Sequence, residues 1–69
     1  MDAIRFGRNV RKFRERAEMT QSELAHKLGV SENYIGYIEN GRKEPSLKTA
    51  VIMAEELHTT LDELVAERK

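Results

Sequence analysis

The chain has 69 residues, near the lower limit at which one domain buries enough apolar surface to fold alone. It contains no cysteine, which excludes a disulfide framework and a thiolate metal site and suits a reducing cytoplasm. The formal net charge is zero, yet residues 1–43 carry nine Lys and Arg against six acids, whereas residues 44–69 carry three against six.

The first predicted helix runs from about Ala3 to Ala17, with Asp2 as its N-cap. Its apolar residues recur at intervals of three and four, the spacing of a buried helical face: Ala3, Phe6, Val10, Phe13 and Ala17. Six Arg and Lys residues occupy the rest, and we expect most of them to be solvated. Gly7 costs about 1 kcal/mol relative to alanine in a helix interior, and close packing against a neighbour is the only reason for it that we find in the sequence.

Residues 20–40, TQSELAHKLGVSENYIGYIEN, predict two short helices separated by a tight corner. A T-x-x-E capping box opens a helix over 21–28, and Gly29 follows it where the chain can leave in a left-handed conformation. Ser31 is then the N-cap of a helix over about 32–39. The arrangement is a helix-turn-helix, which by itself occurs in proteins of many functions.

Two more helices are predicted after this corner. Ser46 caps a fourth helix, whose apolar residues we expect to face inward: Leu47, Ala50, Val51, Ala54 and Leu57, widened by Ile52 and Met53. His58 tolerates the left-handed conformation and ends that helix. Thr60 caps a fifth helix over about 61–66. The sequence therefore predicts an all-α, compact five-helix bundle that forms one domain over residues 1–69.

The segment TQSELAHKLGVSENYIGYIENGRKEPS resembles the DNA-binding helix-turn-helix of the Cro and phage-repressor (XRE-like) family of bacterial and phage regulators. The matching motifs are the T-Q-x-E-L-A opening, the L-G-V-S corner, the I-x-x-I-E-x-G stretch and the following P-S. The resemblance covers nearly the whole chain and implies the family's fold and its binding of double-stranded DNA. It also implies a structural ion pair between Arg14 and Glu39, and a phosphate contact by Gln21 at a helix N-terminus.

The outer face of the third predicted helix carries the candidate base-reading residues. Asn33 can pair bidentately with adenine, and Glu32 can accept a hydrogen bond from cytosine. Tyr34 and Tyr37 offer a ring to a thymine methyl or a hydroxyl to a phosphate, and the alternative role for both is packing. Gly36 would let the helix backbone approach the duplex closely.

Polar side chains on either side of this helix predict contacts with the DNA backbone. Arg42 and Lys43 project from the loop that follows it, where we expect phosphate binding and where solvated loop charge is the alternative. The amide of Asn40 and the hydroxyl of Ser31 join this predicted phosphate-binding set.

One reading helix spans few base pairs, so we expect a homodimer on a palindromic operator with half-sites about 34 Å apart. The candidate dimer residues lie in the fifth helix and the loop before it, and their alternative role is closing the core: Leu57, Leu61, Leu64 and Val65. The predicted function is a sequence-specific transcriptional regulator, as a repressor or controller protein. The competing hypothesis is a protein-interaction module, either the antitoxin of a toxin–antitoxin pair or an adaptor that binds another regulator.

The sequence contains no nucleophile elbow and no glycine-rich phosphate loop, so we do not expect an enzyme. His26 and His58 have no second ligand at metal-binding spacing, and we predict no metal and no other cofactor. We also predict no membrane span, because no apolar run is long enough, and no small-molecule effector, because no second domain is present to bind one.

Overall fold

The structure is a computed structural model that describes residues 1–67, and every regular element in that range is helical. The five helices, in chain order, are α1 (Ala3–Arg16), α2 (Gln21–Leu28), α3 (Glu32–Glu39), α4 (Leu47–Glu56) and α5 (Leu61–Val65). The predicted all-α fold with five helices is confirmed. Arg68 and Lys69, the last two residues of the predicted domain, lie outside the described residues.

Each helix begins at a polar side chain that accepts a backbone N–H of the first turn: Asp2, Thr20, Ser31, Ser46 and Thr60. The box that opens α2 is complete. Thr20 Oγ1 accepts from the Glu23 N–H at 3.0 Å, and Glu23 Oε1 accepts from the Thr20 N–H at 2.8 Å. This backbone hydrogen bond favours the carboxylate and holds the pKa of Glu23 below its ordinary value. The cap signals in the sequence therefore located the helix starts correctly.

The first four helices each end at a residue with positive φ: Glu18, Gly29, Gly41 and His58. After α3, for example, the Gly41 N–H donates to Ile38 O at 3.1 Å and the Arg42 N–H donates to Tyr37 O at 2.9 Å. This is the Schellman pattern, which satisfies carbonyls that the helix leaves free. The predicted stop at His58 is confirmed, whereas the left-handed Glu18 was not predicted.

The core draws apolar residues from all five helices: Phe6, Val10, Leu24, Ala25, Ile35, Ile38, Ala50, Met53, Ala54, Leu57 and Leu64. Leu57 and Leu64 were predicted to contact a second copy, and the structure corrects this. Leu64 has 0% of its surface exposed and Leu57 is also buried, because both pack inside the bundle of a single copy.

The inward face of α4 also differs from the prediction. Leu47 and Val51 were expected to face inward, but both are exposed, Leu47 by 66%. Ala50, Ala54 and Leu57 are buried as predicted. Of the two residues expected to widen this face, Met53 is buried and Ile52 is exposed. The seven apolar residues of this segment surround too much of the helix for spacing alone to choose its buried side.

Helix α1 is held against two other helices at Gly7 and Asn9. A Cβ added at Gly7 would overlap Ile38 O and would lie 2.8 Å from Glu39 O, so only glycine allows α1 to cross α3 this closely. Buried Asn9 donates through Nδ2 to Leu64 O at 2.8 Å and to Ala66 O at 3.0 Å. These bonds satisfy carbonyls at the end of α5 and attach it to α1.

Candidate nucleic-acid interface

Helix α3 has one buried face and one open face. Ile35, Ile38 and Glu39 point into the protein. Glu32, Asn33, Tyr37 and Asn40 are exposed on the other side. The helix therefore presents one carboxylate, two amides and one phenol to solvent on the face opposite its packing contacts.

Gly36 lies between these exposed side chains along the helix. A Cβ added there would meet no atom within 4 Å, so packing inside the protein does not require glycine at this position. At Gly7, by contrast, the neighbouring helix α3 leaves no room for a Cβ, and this explains why glycine is needed there. No neighbouring helix explains the glycine at position 36. A requirement at Gly36 would have to come from something outside the chain that approaches the backbone.

Tyr34 has a different environment from the other predicted base-reading residues. It is half-buried and packs against the hydrophobic core. The Lys43 Nζ lies 5.8 Å from the centroid of its ring. This environment fits the packing alternative for Tyr34, and base reading by this residue stays a prediction.

The predicted phosphate-binding residues lie around α3. Ser31 Oγ accepts the Tyr34 N–H at 3.1 Å, which leaves its hydroxyl hydrogen free to donate to another acceptor. Arg42 and Lys43 are exposed on the loop that begins at Gly41, where the main chain packs closely against Ile4 of α1. This support from Ile4 was not predicted, since no local pattern connects the start of α1 to that loop.

Arg14 and Glu39 form the ion pair that the resemblance implied. Arg14 Nε donates to Glu39 Oε2 at 2.6 Å, and Arg14 Nη2 donates to Glu39 Oε1 at 3.1 Å. The Glu39 hydrogen bond raises the pKa of Arg14 above its ordinary value. Arg14 Nη1 also donates to Met19 O at 2.8 Å, and Gln21 Nε2 donates to Glu39 Oε1 at 3.0 Å. The network joins α1, the start of α2 and the end of α3.

One N–H of the Gln21 side-chain amide therefore donates to Glu39 within the protein, and the second N–H can donate to a group outside it. Glu39 holds this amide beside the N-terminus of α2, where free backbone N–H groups favour an anion. The structure places Gln21 at the predicted position and adds a partner that the prediction did not include.

The order and packing of these helices are those of a helix-turn-helix. Helices α2 and α3 are joined through Gly29 and Val30 and pack directly on each other, and the helix-turn-helix family HTH_3 matches residues 10–64. The chain belongs to the Cro and phage-repressor (XRE-like) helix-turn-helix family. It is thus a DNA-binding transcriptional regulator by family. Helix α3 is the second helix of the motif, which is the position of the recognition helix in helix-turn-helix proteins.

Two similar proteins have about the same length as this XRE-like chain. YazB from Bacillus subtilis, named an uncharacterized HTH-type transcriptional regulator, is 36% identical to this chain over 69 residues. The alignment covers 100% of both chains. The restriction-modification controller protein C.AhdI from Aeromonas hydrophila has a TM-score of 0.85 and 30% identity. That alignment covers 91% of this chain and 96% of the controller.

The fold also occurs inside a longer protein. Hydroxypropylphosphonic acid epoxidase from S. wedmorenis matches with a TM-score of 0.89 and 26% identity over 94% of this chain. The match covers 35% of the epoxidase chain, so the similarity concerns the helical domain and not the remainder of that enzyme.

The remaining predicted residues lie on other parts of the surface. Of the dimer candidates, Leu61 is half-buried and Val65 is exposed. Within residues 1–67, no group of three or more His, Cys, Asp or Glu side chains is arranged to hold a metal ion. Over the same residues, no helix has the length and apolar character needed to cross a membrane.

Proposed function

We propose that this XRE-like chain binds a palindromic DNA operator as a homodimer and regulates transcription as a repressor or controller protein. The observation that carries the proposal is the exposed face of α3. Its open side presents Glu32, Asn33 and Tyr37 around a glycine with free space, while Arg42 and Lys43 lie on the adjoining loop. Hydrogen-bonding groups for base edges thus lie beside cations for the phosphates.

Base reading is assigned to the exposed face, and Asn33 is its central residue. An asparagine amide matches the donor and acceptor of adenine in the major groove, and the Glu32 carboxylate matches the amino group of cytosine. Asn33→Ala should cost about 1–3 kcal/mol of binding free energy and relax the preference at one base pair. Selection of bound sequences from a random DNA pool measures both effects. Equal weakening for every sequence would contradict base reading by Asn33.

Phosphate binding is assigned to Ser31, Gln21, Asn40, Arg42 and Lys43. Arg42→Ala is the matched comparison for Asn33→Ala, because an exposed loop cation should contribute without sequence preference. We expect a uniform loss of affinity and a shallower dependence on salt, by about one unit of slope for each lost phosphate contact. A changed sequence preference in Arg42→Ala would place this residue at a base edge instead.

The homodimer is supported by the size of one copy. The longest extent of the structure is 29 Å, which is less than the separation of about 34 Å between adjacent half-sites on one face of DNA. One copy, which contains a single α3, therefore reaches one half-site, and a palindromic operator requires two copies. With Leu57 and Leu64 in the core, the proposed dimer surface contains Leu61 and Val65.

Val65→Arg tests this surface without disturbing the core. An arginine at buried Leu64 would unfold the chain whether or not this surface is the dimer interface, so it would not test the interface. Ile52→Arg is the control, because Ile52 is also exposed but belongs to α4. We expect sedimentation to show a dimer for the wild type and Ile52→Arg, and a monomer for Val65→Arg. A dimer in all three would place the interface elsewhere.

The regulatory role is supported by the names of two similar proteins, one an uncharacterized HTH-type transcriptional regulator and one a restriction-modification controller protein. A repressor or controller acts where the DNA is, so we assign the chain to the cytoplasm. We propose no catalytic step, since the assigned residues act by hydrogen bonding and charge. Measuring transcription from a promoter that carries the selected operator, with and without the protein, distinguishes repression from activation.

A further inference from the structure

The loop after α3 is attached to the recognition helix by more than its main chain. The ring of Tyr34 projects from the first turn of α3, and the Lys43 Nζ lies 5.8 Å from its centroid. This is within the range over which an ammonium group is attracted to the face of an aromatic ring. A residue of the recognition helix and a cation of the adjoining loop are therefore in contact, although nine positions separate them.

The ring is a fixed partner for the lysine. Tyr34 is half-buried against the hydrophobic core, and its backbone N–H is bound by the Ser31 cap. An exposed lysine, in contrast, has four rotatable bonds and loses much of that freedom when it binds a phosphate. A contact that restricts the lysine before DNA arrives reduces the ordering that binding requires.

We infer that Tyr34 is a positioning residue, which holds the Lys43 ammonium beside the base-reading face for contact with a phosphodiester and does not itself read a base. The inference rests on the proposed function. The ring attracts one side of the ammonium, and the N–H groups on the other side remain free to donate to phosphate oxygens. The recognition helix and this phosphate contact then form one preorganised unit.

Arg42 provides an internal control for this role. It is exposed on the same loop, next to Lys43, but among residues 1–67 it has neither a ring contact nor a side-chain ion pair. Any general disturbance of the loop by a change at Tyr34 should affect both cations. A positioning effect should affect Lys43 alone.

The test is a double-mutant cycle on DNA binding, with a fluorescein-labelled duplex of mixed sequence titrated at several NaCl concentrations. Tyr34→Leu removes the ring and should weaken binding about two- to fivefold. Tyr34→Phe keeps the ring and should bind like the wild type. Tyr34→Leu should add nothing in a Lys43→Ala background, whereas it should multiply the loss caused by Arg42→Ala.

Two further readouts separate positioning from folding and from base reading. Tyr34→Leu should make the salt dependence shallower and leave the selected DNA sequence unchanged, which a merely structural role would not do. In the protein without DNA, proton NMR should show upfield ring-current shifts of the Lys43 side-chain methylenes in the wild type and in Tyr34→Phe. These shifts should be absent in Tyr34→Leu.

Each failure has its own signature. If Tyr34→Phe binds as weakly as Tyr34→Leu, the hydroxyl contacts DNA directly and the inference is overturned. Multiplicative losses for Tyr34→Leu and Lys43→Ala, or an absence of ring-current shifts in the wild type, would overturn it as well. A wild-type protein that shows those shifts but does not bind duplex DNA would instead refute the proposed function.

Discussion

The Arg14–Glu39 pair makes a strong prediction about stability. Glu39 accepts three hydrogen bonds, two from Arg14 and one from Gln21, and its side chain is only 3% exposed. The Arg14 side chain is 11% exposed. Glu39→Ala would leave a nearly buried guanidinium with the Met19 carbonyl as its remaining acceptor. Removing one partner of such a pair costs about 3–5 kcal/mol.

That loss is large for a chain of this size. At about 0.05–0.15 kcal/mol per residue, 69 residues correspond to roughly 3–10 kcal/mol of unfolding free energy. Glu39→Ala should therefore be partly or largely unfolded at room temperature. Urea denaturation followed by circular dichroism measures the change, since the helical signal reports on all five helices. The double variant Arg14→Met/Glu39→Leu removes both charges and should recover much of the loss.

The control is a second ion pair on α1. Arg11 Nε and Glu15 Oε2 lie 3.2 Å apart, but the two side chains are 63% and 58% exposed. Because water screens this pair, Glu15→Ala should change the unfolding free energy by no more than about 0.5 kcal/mol. If Glu39→Ala cost as little as Glu15→Ala, burial would not control the strength of these pairs and the reasoning would be refuted.

Four other predictions concern local structure. Gly7→Ala should destabilise the fold by about 1–3 kcal/mol or more, because its Cβ would overlap Ile38 O. Gly36→Ala should stabilise α3 by about 1 kcal/mol, because alanine is the better helix former. It should nevertheless weaken DNA binding, because its Cβ would keep the backbone of α3 away from the duplex. Unchanged binding would show that DNA does not approach this backbone. His58→Gly should raise the unfolding free energy by about 1 kcal/mol in urea titrations, because His58 has φ of 58° and glycine adopts that conformation without strain. The pKa of Glu23 is lower in the folded chain than its ordinary value of 4.5. The stabilisation that the Glu23 carboxylate contributes to the folded chain is therefore complete above pH 4.5 and is lost as the pH falls through the lower pKa of the folded state. The difference in unfolding free energy between the wild type and Glu23→Gln should accordingly shrink on acidification.

The sequence alone determined where the helices begin and which face of α3 points outward. These features depend on local chemistry. A cap such as Thr20 satisfies N–H groups within its own first turn, and a left-handed glycine ends a helix using only the preceding residues. The exposed face of α3 follows from the spacing of Ile35 and Ile38, which face the core. Family resemblance added the Arg14–Glu39 pair, which no local spacing could have shown.

The tertiary structure decided what depends on residues far apart in the chain. Asn9 Nδ2 donates to Leu64 O across 55 positions of the chain, so no local pattern in the sequence indicates this hydrogen bond. Gly7 is required by a helix that lies some thirty residues later. The sequence left Tyr34 either reading a base or packing, and only the folded chain shows its ring against the core with Lys43 beside it. Helical spacing states which residues share a face, but only the packed neighbours determine which face is covered.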